Sequence, residues 1–206
     1  MSKKRLGVHK GRMTNSEKTR IWTICGQDTF QELQGHGELL ADPSRVVAEF
    51  SSAYRWMTVQ VNKRLGTSVK TPWWGWHSWG KRNGRPDLRC GNHMPRGTKS
   101  ILLELMINSN EVVLSQFDMW NWALDGEFVP ARQAEVWHYS VKERRRIYPQ
   151  GHVPTAKERR LSWQRIFDLR SGSVHYWGRH SERWIQACFP VLRVSDVVST
   201  KLFVAK

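Results

Sequence analysis

The chain of 206 residues is 39% hydrophobic and carries 33 Lys and Arg against 18 Asp and Glu, a formal charge of +15. That is enough apolar material for one folded domain, and it excludes a wholly disordered basic chain. No apolar run reaches the roughly 18 to 20 residues of a membrane helix, and the opening MSKKRLGVHKGRMTNSEKTR has no apolar block for a signal peptide, so a cytoplasmic protein without membrane contact is expected.

Residues 1–19 are basic and aperiodic and read as a flexible arm. The remainder, 20–206, reads as a single globular domain. Ile21-Trp22-Thr23-Ile24 is strand-like, and Asp28-Thr-Phe-Gln31 has the form of a capping box opening a short helix that stops at Gly35 or Gly37. Asp42-Pro43 predicts the start of a longer helix. Val46, Phe50, Ala53, Tyr54, Met57, Val61 and Leu65 continue it at helical spacing to Gly66. The segment Thr71 to Gly80 reads as a Trp-rich strand running into a basic loop, and Ile101–Ile107 and Glu111–Ser115 read as two more strands. A short helix follows over 118–124, then a helix over 131–146, and Thr155-Ala-Lys-Glu158 caps another that carries Arg159, Arg160 and Trp163. The two later helices are expected to form a basic hairpin, with a basic insertion near 142–160. Strand patterns return over Trp184–Val194 and Thr200–Val204. Helices mix with strands without a βαβ rhythm or an internal repeat, which predicts an α+β fold with a small mixed or antiparallel sheet and flanking helices.

The positive charge is concentrated. Residues 1–20 carry a net +6, 63–99 a net +8 and 142–170 a net +6, whereas 21–62 and 100–141 are net acidic. Basic stretches set into an ordinary globular frame are the expected contact surface for a polyanion, so the predicted partner is a nucleic acid, RNA or DNA. Trp73, Trp74, Trp76 and Trp79 crowd into seven residues just before Lys81, Arg82, Arg85 and Arg89. Flat apolar faces next to cations stack bases and neutralise phosphates, although a Trp-rich strand followed by a solvated loop fits the same pattern. The predicted contacts are therefore Trp76, Trp79, Lys81, Arg82, Arg85 and Arg89, joined by Arg144, Arg145, Arg146, Arg159 and Arg160 on the helices. Trp22, Trp56, Trp137, Trp163 and Trp184 lie in periodic segments and read as core.

Three widely spaced cysteines, Cys25, Cys90 and Cys188, read as reduced, buried thiols rather than a disulfide framework. Cys90 and His93 have half the spacing of a zinc site without a second pair, so no metal is predicted. Phosphate-loop, dinucleotide, nucleophile-elbow and zinc-protease motifs do not occur in the sequence, and no cofactor is expected on the residues alone.

Taken together, Arg20-Ile-Trp-Thr-Ile24, Ala53-Tyr-Arg-Trp-Met57, Trp74-Gly-Trp76 with Arg85-Pro-Asp-Leu-Arg89, Val113 to Trp120, Trp163 to Asp168 and Ile185 to Phe189 resemble the bacterial family called domain of unknown function 3841, over about residues 20–204. The family name implies no activity. The chain is also similar, in part, to ADP-ribosyltransferase-like folds, especially toxins that modify DNA bases, in which a first strand of type aromatic-His-apolar-Thr leads to a helix and a glycine turn. That resemblance implies an enzyme using NAD on a nucleic-acid or protein target, in a toxin or phage-defence setting, with Arg20, Thr23, Tyr54, Trp76 and Gln186 about the pocket. Thr23 stands where such a strand has its histidine, and Cys188 is expected at the place of the catalytic glutamate, so activity on this reading needs another acid such as Glu182 or Glu104, or else the site binds without turning over. A pocket between the first strand and the Gln186 strand, lined by Trp76 and Arg85 or Arg89, would favour a small-molecule site, and a continuous basic face without a pocket would favour nucleic acid alone.

Overall fold

The computed structural model describes residues 17–80, 84–91, 93–132, 135, 154–170, 172 and 174–206. Its frame is set by β1 (Lys18–Gly26), which pairs antiparallel along its whole length with β4 (Lys99–Asn108), Lys18 opposite Asn108 and Gly26 opposite Ser100. Helix α1 (Gln27–His36) follows at once, then β2 (Glu38–Leu40), α2 (Ser51–Leu65) and β3 (Trp73–Ser78). After β4 come β5 (Val113–Gln116), α3 (Phe117–Leu124), α4 (Ala156–Ser162) and α5 (Val174–Trp177). The last strands are β6 (Ile185–Phe189), β7 (Val191–Arg193) and β8 (Val197–Val204). The main sheet has the order β5-β6-β3-β1-β4-β8 with every ladder antiparallel, and β2 pairs with β7 in a small second sheet. The fold is α+β.

The main sheet is packed on both faces, as the alternation of its strands requires. In β6, Ala187 and Phe189 join Ile21, Leu33 and the β4 row Ile101, Leu103, Leu105 and Ile107. Cys188, pointing the other way, joins Ala53, Met57 and Val61 of α2, Met119 and Trp120 of α3, and Trp163 and Ile166. Each such aliphatic side chain taken from water stabilises by about 1.5–3 kcal/mol. Gly75 lets β3 lie close to β1, because a Cβ there would come 2.6 Å from Ile21 Cγ2 and 2.9 Å from the Trp22 carbonyl oxygen. Trp74 and Trp76, on either side of it, keep the α2–α3 face.

Several local expectations need correction. The Asp28 capping box does not form: α1 begins at Gln27 behind Gly26, with no side-chain cap, and Asp28 sits in the first turn beside the helix dipole. Asp42 does cap a turn, accepting from the Ser44 backbone N–H at 2.9 Å, but that turn is the short 3-10 segment Pro43–Arg45. Extended backbone at Val46 and Val47 and a second 3-10 turn over Ala48–Phe50 then delay α2 to Ser51. The single strand expected over 184–194 is two, because after Phe189 the chain passes Pro190 and moves from the main sheet to the small one. The Thr155 capping box is present, with Glu158 N–H donating to Thr155 Oγ1 at 3.2 Å and Thr155 N–H to Glu158 Oε2 at 2.7 Å. β1 starts at Lys18, two residues inside the expected arm. Most of that arm, most of the expected 131–146 helix, the 142–153 part of the basic insertion, and Trp137 lie outside the described residues.

A tryptophan-lined candidate binding site

On the α2–α3 face, where the sheet is not fully covered, lies a cleft of about 720 Å³. Thr23 and Ile24 of β1, Trp74 and Trp76 of β3 and Gln186 of β6 line it from the sheet. Tyr54 of α2 contributes one wall, and Phe117, Trp120 and Asn121 of α3 another. Gly75, Leu124, Trp184, Trp79 and the loop residues Cys90, Gly91 and His93 also line it. No Asp, Glu, Lys or Arg is among the described residues that line it.

The rings are mutually braced. Trp79 stacks on Trp184, with centroids 4.5 Å apart and planes 21° from parallel, and Trp184 stacks in turn on Phe117 at 5.8 Å. Trp76 meets Trp79 and Phe117 edge-on at 4.5 and 4.8 Å. Tyr54, Trp74 and Trp120 form a second aromatic group, with Trp74 5.3 Å from each of the other two. Such pairs are worth about 0.5–1.5 kcal/mol each beyond area burial, so the walls hold their shape without a ligand. Trp184 is fixed through the backbone as well. Its carbonyl accepts from the Phe117 N–H at 2.9 Å, and the preceding Arg183 is buried, donating to Gln116 Oε1 at 2.9 Å and to the Gly172 carbonyl at 3.0 Å.

Polar groups are few and specifically placed. Gln186 is 4% exposed and donates its amide N–H to Ser115 Oγ at 3.0 Å. Its carbonyl oxygen, the Asn121 side-chain amide and the Tyr54 phenol make no hydrogen bond among the described residues. Burial, and behind it the Cys188 thiol, push the Tyr54 phenol above its ordinary pKa, so it stays a neutral donor at physiological pH. Thr23 Oγ1 donates to the Trp74 carbonyl at 2.7 Å, and the Trp74 indole N–H is buried without a partner among the described residues. An aromatic, uncharged cleft with a few hydrogen-bonding groups is suited to a planar polar ring.

The structure brings together Thr23, Tyr54, Trp76, Trp79 and Gln186 from the sequence-predicted set. Arg20 is elsewhere, ion-paired to Glu104 at 3.2 Å. Glu104 also accepts from Ser199, and neither it nor Glu182 lines the cleft. Gln186, rather than Cys188, reaches the cleft, two residues earlier on the same face of β6, while Cys188 is wholly buried. Arg85 and Arg89 do not line the aromatic cleft but a separate one. Arg159 donates to the Pro154 carbonyl and Arg160 is exposed on α4. Lys81, Arg82, Arg144, Arg145 and Arg146 lie outside the described residues. His77 and His93 are engaged with backbone carbonyls of Arg20 and Asp87, and no cluster of metal-ligating side chains occurs among the described residues. Cys25 and Cys188 are buried, but Cys90 is exposed, which corrects the expectation of three buried thiols.

Trp184, read from sequence as core, belongs to the cleft, as do Trp74, Phe117, Trp120 and Asn121. The available signal was spacing: Trp184 with Gln186, and Trp74 with Trp76, are two residues apart and so share one face of an extended chain. What spacing does not reveal is that β3 and β6 are neighbours, with Trp76 directly opposite Gln186.

No helix among the described residues is long and apolar enough to cross a membrane. The model of the family described as Domain of unknown function (DUF3841) matches residues 20–187. No curated protein and no solved structure matches the chain.

Proposed function

We propose that this chain, which belongs to the Domain of unknown function (DUF3841) family, is a nucleic-acid-associated protein that takes one unpaired base into its tryptophan cleft. The observation carrying this reading is the lining: among the described residues, stacked indoles with no Asp, Glu, Lys or Arg, and Gln186, Asn121 and Tyr54 offering hydrogen-bonding groups not used within the fold. Every base has a π-face for the indoles and a polar edge for the amides, whereas an anionic head group would find no cation in this lining. The +15 net charge supports the choice of partner, since it raises the local concentration of a polyanion and makes its binding salt-dependent.

The test is fluorescence anisotropy of a labelled single-stranded decamer, RNA and DNA in turn, against salt. Binding should weaken steeply between 50 and 200 mM salt. Trp79→Ala should weaken it by about 5- to 150-fold, the equivalent of the ~1–3 kcal/mol that one base–aromatic stack contributes. Binding unaffected by salt, or equal in the folded variant and the parent, contradicts the reading.

A second reading, an ADP-ribosyltransferase-like enzyme using NAD, has one observation in its favour. A second cleft of about 500 Å³ shares Thr23, Ile24, Tyr54 and Trp74 with the first, so a two-part ligand has room to span both. Against it, no carboxylate among the described residues lines the aromatic cleft to steady an oxocarbenium-like ribose, and the nearest to a spanning ligand are Glu32 and Asp42 of the second cleft. Incubation with labelled NAD and a nucleic-acid or protein acceptor separates the readings: transfer of label that Gln186→Ala abolishes would establish the enzyme, and its absence leaves a binding protein.

A further inference from the structure

The loop between β3 and β4 has two sides, and the aromatic cleft uses only one. Cys90, Gly91 and His93 face that cleft. The residues just before them, Arg85 to Arg89, line a separate recess of about 350 Å³ together with Lys201 of β8. Its cations come from two distant parts of the chain.

The recess is held in shape by its own residues. Asp87 takes the Arg89 side chain in a two-point grip, from Nε at 3.0 Å and from Nη2 at 2.9 Å, and also accepts from the Arg89 backbone N–H. The Asp87 carbonyl accepts from the Cys90 N–H and contacts His93 Nε2, each at 3.0 Å, which ties the basic side of the loop to the aromatic side. At the loop's near end Gly84 adopts φ 83°, where a Cβ would come 2.6 Å from Trp22 Cζ3 and 2.7 Å from the His77 carbonyl oxygen. Only glycine suits that position.

The charge in the recess is not cancelled. Arg85 and Lys201 are exposed and form no ion pair among the described residues. Arg89 gives two of its five N–H groups to Asp87, which leaves the others, in a fixed orientation, for an outside acceptor. Among the described lining residues three cations stand against a single carboxylate, so this part of the recess is net positive and suits an oxyanion.

We infer that the Arg85–Arg89–Lys201 recess is a phosphate site for the backbone of the same nucleic-acid strand whose base enters the tryptophan cleft across the loop. This rests on the base-binding reading, and it makes the ligand a strand rather than a free base: the base is read on one side of the loop and the flanking phosphate is held on the other. Phosphate contacts position a strand and base contacts select it, so the loop joins the two functions.

The experiment measures strand affinity as a function of salt for the full chain, using the labelled single-stranded decamer as probe, and compares two double variants. Arg85→Ala with Lys201→Ala removes two exposed cations of the recess. Lys63→Ala with Lys70→Ala removes two exposed lysines elsewhere, at equal cost in net charge. Loss of two phosphate contacts should make the slope of log K against log salt shallower by about 1.4 in the recess variant, with little change in the control. Free nucleoside should compete for the base cleft equally in parent and recess variant. An unchanged slope in the recess variant, or an equal change in the control, overturns the phosphate site while leaving the base cleft standing. Nucleoside that fails to compete even with the parent overturns the base reading, and this inference with it.

Discussion

The thiols show how much position decides the behaviour of one side-chain type. Burial pushes the Cys25 thiol up to about 11, against a smaller opposing pull from Arg45, and the wholly buried Cys188 is shifted in the same direction by burial. Both stay protonated at neutral pH and are poor nucleophiles. Cys90, exposed on the cleft rim, is open to a thiol reagent. A disulfide-exchange reagent should therefore titrate one thiol in the native protein and three in denaturant. A nucleoside in the cleft should slow the native reaction, whereas more than one fast thiol in the folded chain would mean that the β1 or β6 core is open. Gly75 and Gly84 are a different kind of residue-scale fact: the sequence shows only that they are glycines, and their necessity appears when β1 and Trp22 are packed against them.

At the scale of elements, what was legible depended on whether a local interaction or a distant one sets the outcome. The Thr155–Glu158 box is a contact between residues three apart, and it forms as the pattern predicts. Thr155→Ala should cost about 1 kcal/mol and lower the melting temperature by about 2–4 °C in a thermal melt, with strand affinity unchanged. An unchanged melting temperature would mean that α4 contributes nothing to the cooperative unit. The Asp28 pattern was local too, yet β1 extends through Gly26 to keep its ladder with β4, and this takes the cap position from a side chain. Likewise the apolar period of α2 was legible from Ala53 to Leu65 but not upstream, where Val46 and Phe50 fall in turns. The strands of the main sheet were legible from alternation and their order was not. No local pattern states that β3 inserts between β1, far before it in the sequence, and β6, far after it.

For the whole molecule, charge and cleft divide the work. The net charge of +15 predicts a polyanion partner and a salt-dependent affinity, but it names no atom that recognises one. Its described lining carries no Asp, Glu, Lys or Arg and is assembled from β1, β3, β6, α2, α3 and the β3–β4 loop, so no contiguous stretch of sequence contains the cleft. Trp76 and Trp79 were legible as candidates because indoles crowd there before a basic run, and Thr23, Tyr54 and Gln186 only through the partial resemblance to ADP-ribosyltransferase-like folds, whereas Trp184 was misread because a periodic segment looks the same at a core and at a cleft wall.

Base binding in the cleft is read most directly from the indole N–H signals of the 12 tryptophans in a heteronuclear NMR spectrum of the full chain, assigned by single Trp→Phe variants and followed as a nucleoside is titrated in. The signals of Trp76, Trp79 and Trp184 should move together with one dissociation constant. Those of Trp163 and Trp177, whose indole N–H groups are bonded to the carbonyls of Glu127 and Pro130, should stay in place. If the cleft signals stay fixed while nucleoside saturates, or if all the indoles shift alike, the cleft is not a base-binding site.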